Sequence, residues 1–364
     1  MIWFEKFEFE EDPYNKIDPP LIPFERIQWN RDDLSEEKKK IDYLIDDIKA
    51  SYKIAILAYG PIGSGKTWVG RVIEKKITSE VKNALIVRTR IPRIQPNFSA
   101  FYRIFVDSIL KNDEYISKLK EKIGTSRKDW EAQIENQDLA HCLWHIVEGS
   151  IEKRVIAKRW LIGESLTTKD LSLIDVVTKL DMDYKKLEII KALLEKSLLA
   201  FPMTLLYIDE MENANPTFAR QIGDVLRDFL DSFYEKFVLT CFFTAESIED
   251  WYDYGYSEAL YRRLNYKLKL DAIKREYAPT FLRKHHEVYR KKTAKIKDQI
   301  YPFTDEGVDK LIEMMDISKR YPGYILPNCG ILARDAEKEN KVIDAQFVID
   351  HQRRLDNIAV QRQL

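Results

Sequence analysis

The stretch Gly60-Pro61-Ile62-Gly63-Ser64-Gly65-Lys66-Thr67 follows directly on the apolar run Ile54-Ala55-Ile56-Leu57-Ala58 and leaves this chain few folds to choose from. Its G-x-x-x-x-G-K-T spacing is that of a Walker A phosphate loop. Glycines let the backbone turn tightly enough to aim successive N–H groups at one set of phosphate oxygens. The positive end of a following helix adds to that field. Lys66 has the reach for β- and γ-phosphates, and the Thr67 hydroxyl suits a Mg²⁺ ion. The motif needs a strand before it and a helix after it. The apolar run predicts the first, and Trp68, Val69, Val72, Ile73 and Ile77, recurring at helical spacing, predict the second. Residues Gly60 to Trp68 are therefore expected to bind a nucleoside triphosphate, ATP, with Mg²⁺ as cofactor.

The rest of the chain reads as alternating strands and helices. Residues 1–34 are aromatic, acidic and punctuated by Pro13, Pro19, Pro20 and Pro23, which suggests an arm laid over a core. A helix follows from Ser35, capped by Asp33 or Ser35, with Ile41, Leu44, Ile45 and Ile48 on one face. After a second strand at Ala84–Val87 comes a long stretch without strand character, from about Phe98 to Leu199. Phe101, Ile104, Phe105 and Ile109, and later Leu187, Ile190, Leu193 and Leu194, mark helices within it. Strands return at Met203–Ile208 and Phe237–Phe243, separated by a helix near 216–235. This alternation predicts an α/β fold, a parallel sheet with helices on both faces. Beyond residue 272 only helical patterns remain, so the expected domains are an arm (1–34), a nucleotide-binding core (35–272) with a helical insertion near 112–198, and a C-terminal helical domain (273–364).

The second chemical motif is Leu205-Leu206-Tyr207-Ile208-Asp209-Glu210. Neighbouring strand residues point to opposite faces, so the two carboxylates cannot share one task. Asp209 would hold Mg²⁺, while Glu210 would orient and polarise the attacking water. Taken alone, the pair could equally be a solvated acidic turn; the phosphate loop upstream favours a Walker B reading. Thr244 ends the next strand, where a hydroxyl could sense the γ-phosphate, with Glu246 as its rival. Arg262 and Arg263 form either a solvated basic turn or an arginine pair offered to a neighbouring subunit's site, a role worth ~10³–10⁵ in rate.

Together these features resemble an AAA+ ATPase, and most closely the origin-recognition initiator-like clade with related P-loop ATPases of defence and mobile elements. The resemblance runs from about residue 24 to 335 and includes Arg159–Thr167 and Ile208–Asn213. It implies a helical lid over the nucleotide, an oligomer with composite sites, and Phe24, Ile27 and Trp29 near the adenine. The chain departs from the pattern in three ways. About 140 residues separate Lys66 from Asp209, so an insertion is required. Arg320 and Arg334 flank Tyr321-Pro322-Gly323-Tyr324 without forming the lid's usual Gly-x-Pro-Arg pattern. The stretch after residue 335 is too short for a winged-helix domain.

Composition narrows the partners. Charged residues make up 33% of the chain yet sum to −1, so overall charge favours no partner. From Arg262 to Lys297, however, thirteen Lys and Arg face three acids, which fits either non-specific DNA contact or a solvated face. Cys142, Cys241 and Cys329 are widely spaced, as in a reduced cytoplasmic protein. No apolar run is long enough to span a bilayer. His141 and His145 sit four apart without a third ligand pattern, so a metal is not expected there, and His285-His286 reads as surface. The expected activity is ATP hydrolysis coupled to conformational change. The alternative is a nucleotide-dependent scaffold or signalling switch with little turnover.

Overall fold

The computed structural model describes residues 2–15, 22–50, 53–233 and 235–355. The chain begins with α1 (Trp3–Lys6), α2 (Ser35–Lys49), β1 (Ile54–Gly60), α3 (Lys66–Glu80) and β2 (Leu85–Arg90). Seven helices follow: α4 (Phe98–Leu110), α5 (Asp113–Ile123), α6 (Arg127–Gln133), α7 (Gln137–Glu148), α8 (Ile151–Leu161), α9 (Thr168–Leu173) and α10 (Asp183–Ala200). Then come β3 (Thr204–Asp209), α11 (Pro216–Ser232), β4 (Phe237–Thr244), α12 (Glu249–Asp253), α13 (Glu258–Arg263) and β5 (Tyr266–Lys269). The last helices are α14 (Ala278–Tyr289), α15 (Asp305–Met314), α16 (Pro322–Glu339) and α17 (Ala345–Asp350). These elements form two compact units. A sheet unit takes in Tyr43–Tyr59 and Lys76–Leu268, and a loop unit draws its described residues from Met1–Asp42, Gly60–Lys75 and Lys269–Leu364.

In the sheet unit five parallel strands run in the order β2-β3-β4-β1-β5. The three inner strands, β1, β3 and β4, are buried along almost their whole length, which is why they read as unbroken apolar runs. β2, at one edge, alternates instead: Leu85, Val87 and Thr89 point inward while Arg88 and Arg90 are exposed. Register pairs Arg90 with Asp209 and Ile208 with Cys241, so the acidic pair and Thr244 emerge at the same, carboxyl, edge of the sheet. The strand β5 was not anticipated from sequence. It is four residues long and mixed in polarity, and Asn265 fixes its start by accepting from the Ala55 amide (2.7 Å) and donating to the Lys53 carbonyl (3.1 Å).

Between β2 and β3 the chain is entirely helical. Side chains of Asn97, Asn112, Ser126, Asn136, Ser150 and Thr167 cap the amino ends of α4 through α9 in turn. Each such cap is worth about 1 kcal/mol, enough to define the ends of short helices that propensity alone would leave ragged. Buried aromatics then fix these helices through their polar tips. Tyr102 donates to the Leu161 carbonyl at 2.6 Å, Tyr115 to Leu193 at 2.8 Å, and Trp160 to Thr178 at 2.8 Å. His141 bonds to Glu131 (2.9 Å) and to the Asp175 carbonyl (2.6 Å).

The loop unit has a separate core, in which Phe7, Phe9 and Tyr14 of the arm pack with α14, α15, α16 and α17. Arg290 is the main tie. Its guanidinium donates to the carbonyls of Phe7, Gln299 and Tyr301, and its backbone forms a bridge with Phe9. His285 and His286 are buried, contrary to the surface position expected from their neighbours in sequence. The arm covers them. His285 Nε2 donates to the Pro13 carbonyl at 2.6 Å, and the Tyr14 hydroxyl lies 2.5 Å from His286 Nε2. Because His286 Nδ1 faces the Gln299 carbonyl at 3.2 Å and must donate, Nε2 accepts from Tyr14. Asp33 does not cap α2; its carboxylate is taken by Arg31.

Candidate functional site

In the loop unit, residues 60–67 lead into α3. Gly63 and Gly65 take φ values of +79° and +97°, which side chains with a Cβ rarely adopt. Gly63 also touches the start of α16, its carbonyl accepting from the Gly323 amide at 2.9 Å. Lys66 Nζ bonds to the Gly60 (2.9 Å) and Pro61 (3.1 Å) carbonyls, folding back over its own loop. Ser64 is 2% exposed, and its hydroxyl has no partner among the described residues. An orphaned buried hydroxyl costs about 1–3 kcal/mol, a cost shared by Thr89 in β2 and Thr240 in β4.

The arm clasps the first turns of α3. Trp68 Nε1 donates to the Gln28 carbonyl (3.0 Å), Lys75 to Ile27 (2.7 Å) and Arg71 to Ile22 (3.1 Å). Arg71 also pairs with Glu74 at 2.7 Å and lies over the Phe24 ring at 4.2 Å. Above this clasp is a cavity of about 610 Å³, within the range of small-molecule sites. Its lining includes Gly63 to Val69, with Lys66 and Thr67 among them. The lining also includes the aromatic and apolar side chains of Tyr14, Trp29, Phe281, Tyr289, Leu326 and Pro327. Trp29 thus reaches the cavity. Phe24 and Ile27 do not line it; they pack with Ile22, Val72 and Trp68 beneath. Arg320 donates to the Met315 carbonyl (3.1 Å), and Arg334 lies over Trp3 with Asp12 at 3.6 Å, so each has a partner away from the loop.

In the sheet unit, Asp209 closes β3 and accepts from the Glu210 amide at 2.8 Å. Glu210 itself adopts a left-handed conformation (φ +57°), a strain of about 1–2 kcal/mol for a residue with a Cβ. Two side chains hold its carboxylate there. Arg93 Nη2 donates to Oε1 at 3.0 Å, and Asn213 Nδ2 donates both to Oε2 at 3.1 Å and to the Ile91 carbonyl at 3.0 Å. Next to it Glu212 captures Thr244, whose hydroxyl (2.5 Å) and amide (3.1 Å) donate to its two oxygens. The Thr244 proton is therefore committed to a carboxylate in this state. Glu246 lies further along, its amide bonded to Asp250 at 2.8 Å. Arg263 is fixed bidentately on Asp231 (2.8 Å twice), whereas Arg262 is 75% exposed and leans on Glu258 at 2.6 Å.

Sequence reasoning did not single out Arg31, Arg93, Glu212 or Asn213. Glu212 and Asn213 lie within the Asp-Glu-Met-Glu-Asn run, but their contacts with Thr244 and the Ile91 carbonyl cross between distant segments, which no local pattern reveals.

The five-stranded parallel sheet with the glycine loop after β1 has the fold of solved AAA+ P-loop structures. The similarity is to the ORC2 protein of Aeropyrum pernix, solved in ADPNP–ADP complexes, with a TM-score of 0.52 at 12% identity over 94% of this chain and 71% of that one. Also similar are Cdc6p of Pyrobaculum aerophilum (TM-score 0.47, 11% identity, 92% and 68% coverage) and a Walker-type ATPase of Pyrococcus abyssi (0.44, 11%, 96% and 79%). At such identities the likeness is one of fold. No protein-family profile and no curated protein matches the sequence.

Proposed function

We propose that this chain is an ATP- and Mg²⁺-dependent switch or remodelling ATPase of the AAA+ type, acting in a DNA-associated process. One observation carries the reading: the glycine loop with Lys66 and Thr67 lines a cavity of about 610 Å³ that is also lined by aromatic side chains. The loop amides and Lys66 would cradle phosphates, and the aromatic side chains of the lining would take the base. Thr67 and Asp209 would hold Mg²⁺, which supplies charge neutralisation at the bridging oxygens. Glu210 would position the attacking water, which first requires its release from Arg93 and Asn213. Arg262 and Arg263 would complete the site of a neighbouring copy, the more exposed Arg262 with less to give up. An assembled oligomer, with conformational change as the output, follows from that role.

The basic stretch from 262 to 297 is the proposed DNA contact, narrowed by its ion pairs. Arg275 is held by Asp309 and Glu313, Arg283 by Asp305 and Lys284 by Asp32. Lys274, Lys291, Lys292, Lys295 and Lys297 have no acidic side-chain partner among the described residues and would be the ones to meet phosphates. A second reading, a scaffold that binds ATP with little turnover, draws on the capture of Glu210 and Thr244.

Size-exclusion with light scattering tests the proposal on wild type and Lys66→Ala, with ATP or a non-hydrolysable analogue, with and without duplex DNA. Assembly in wild type alone is expected with nucleotide, and a further shift with DNA. A monomer indifferent to nucleotide in every condition removes the oligomeric reading. Glu210→Gln separates motor from scaffold: it should block turnover while keeping ATP bound, and only a motor loses its output.

A further inference from the structure

Arg31 is a buried cation beside the glycine loop, in the lining of the cavity, that the sequence motifs do not explain. Its side chain is 4% exposed and that of its partner Asp33 is 2% exposed. Nε donates to Asp33 Oδ1 at 2.9 Å and Nη2 to Oδ2 at 2.7 Å, so the carboxylate covers one edge of the guanidinium. Nη2 also donates to the Asp271 carbonyl at 2.5 Å, and Nη1, on the other edge, donates to the Ser64 carbonyl at 3.4 Å. One side chain thus joins the arm, the phosphate loop and the segment after β5, and it lines the cavity beside Gly63, Ser64 and Gly65.

A buried ion pair is weak evidence for stability, since apolar residues of similar volume often serve as well. Its placement is informative instead. In a trans peptide the carbonyl of one residue and the N–H of the next point in opposite directions. A donor engaging the Ser64 carbonyl therefore turns the Gly65 amide away from itself, setting the orientation of a group in the phosphate cradle. We infer that Arg31, oriented by Asp33, is a positioning residue for polyphosphate: it fixes the Ser64–Gly65 peptide and adds positive charge where phosphates bind, so that it governs affinity for phosphorylated ligands rather than for the nucleoside. This rests on the nucleotide reading of the cavity.

The test is displacement of a fluorescent ADP analogue by ATP, ADP, tripolyphosphate and adenosine from wild type, Arg31→Gln, Arg31→Lys and Asp33→Asn. Thermal unfolding of each variant runs alongside. Arg31→Gln should weaken ATP, ADP and tripolyphosphate by about tenfold or more, the loss of a charge-assisted contact, with adenosine unchanged. Arg31→Lys keeps the charge without the fork and should recover only part of the loss. Asp33→Asn should fall between the two. Undiminished ADP and tripolyphosphate binding in Arg31→Gln, or an equal loss for adenosine, overturns the inference and leaves Arg31 as packing. Wild type that binds no phosphorylated ligand overturns it too, and is told apart because there the nucleotide reading itself has failed.

Discussion

The phosphate loop and the acidic turn after β3 are both short polar segments at the end of a buried strand, yet they are held in different ways. The loop is shaped by its own backbone: glycines at positive φ, and Lys66 bonded to carbonyls five and six residues back. The turn is shaped by side chains from elsewhere: Arg93 lies 117 residues from Glu210, and Thr244 lies 32 residues from Glu212. A loop shaped mainly by backbone torsions should keep its form when Lys66 changes, even though Arg31 orients a peptide within it from a distance. A site built from side-chain pairs can be switched, because each pair can be exchanged for another partner.

The sharpest test of the first half of that contrast is Lys66→Ala. Calorimetric titration should register a loss of about 3 kcal/mol in ATP binding, roughly 100-fold, with the unfolding temperature unchanged. A large fall in stability instead would mean the loop depends on side-chain support after all.

Acid should loosen the loop unit ahead of the inner strands. Burial pushes His285 down to about 4, and burial with the neighbouring His285 pushes His286 down as well. The unfolded chain takes up these protons near pH 6.5, while folded His285 resists until about pH 4. Stability from His285 is therefore complete above about pH 6.5 and is lost progressively toward pH 4, about 3 kcal/mol in all. Hydrogen exchange in residues 278–289 should accelerate over that window relative to β1, β3 and β4.

Gly323→Ala probes the contact between the loop and α16. A Cβ at Gly323 would lie 2.7 Å from the Gly63 Cα, so the backbone must shift. About 1–3 kcal/mol of stability should go, with ATP affinity falling alongside, as thermal unfolding and titration would record.

The smallest effect should come from Arg93→Ala. Its side chain is 76% exposed, so stability should move by less than about 0.5 kcal/mol. Steady-state ATP turnover should rise by roughly threefold as Glu210 is freed. An unchanged or lower rate would mean the Arg93 contact does not restrain that carboxylate.

Sequence legibility follows the same division. The runs at Ile54–Ala58, Leu205–Ile208 and Val238–Phe243 could be recognised because strands buried on both faces need apolar residues throughout. The loop was equally plain, its spacing being a backbone requirement. β5 escaped because a four-residue edge strand carries lysines at two of its positions. His285 and His286 looked exposed because their cover comes from Tyr14 and Pro13, 272 residues away. Asp33 had the composition of a cap, and nothing local revealed that Arg31 would claim it.

The discontinuity of the loop unit bears on how the chain matures. Tyr14 meets His286 only after 272 further residues have been made, whereas most partners in the sheet unit lie within Lys76–Leu268. At ~5–20 residues per second, the arm's Phe7, Phe9 and Tyr14 wait roughly 15 to 55 seconds for the helices that cover them. During that interval they are exposed apolar surface on a nascent chain. The segment bearing the phosphate loop can be made early, but its unit closes last.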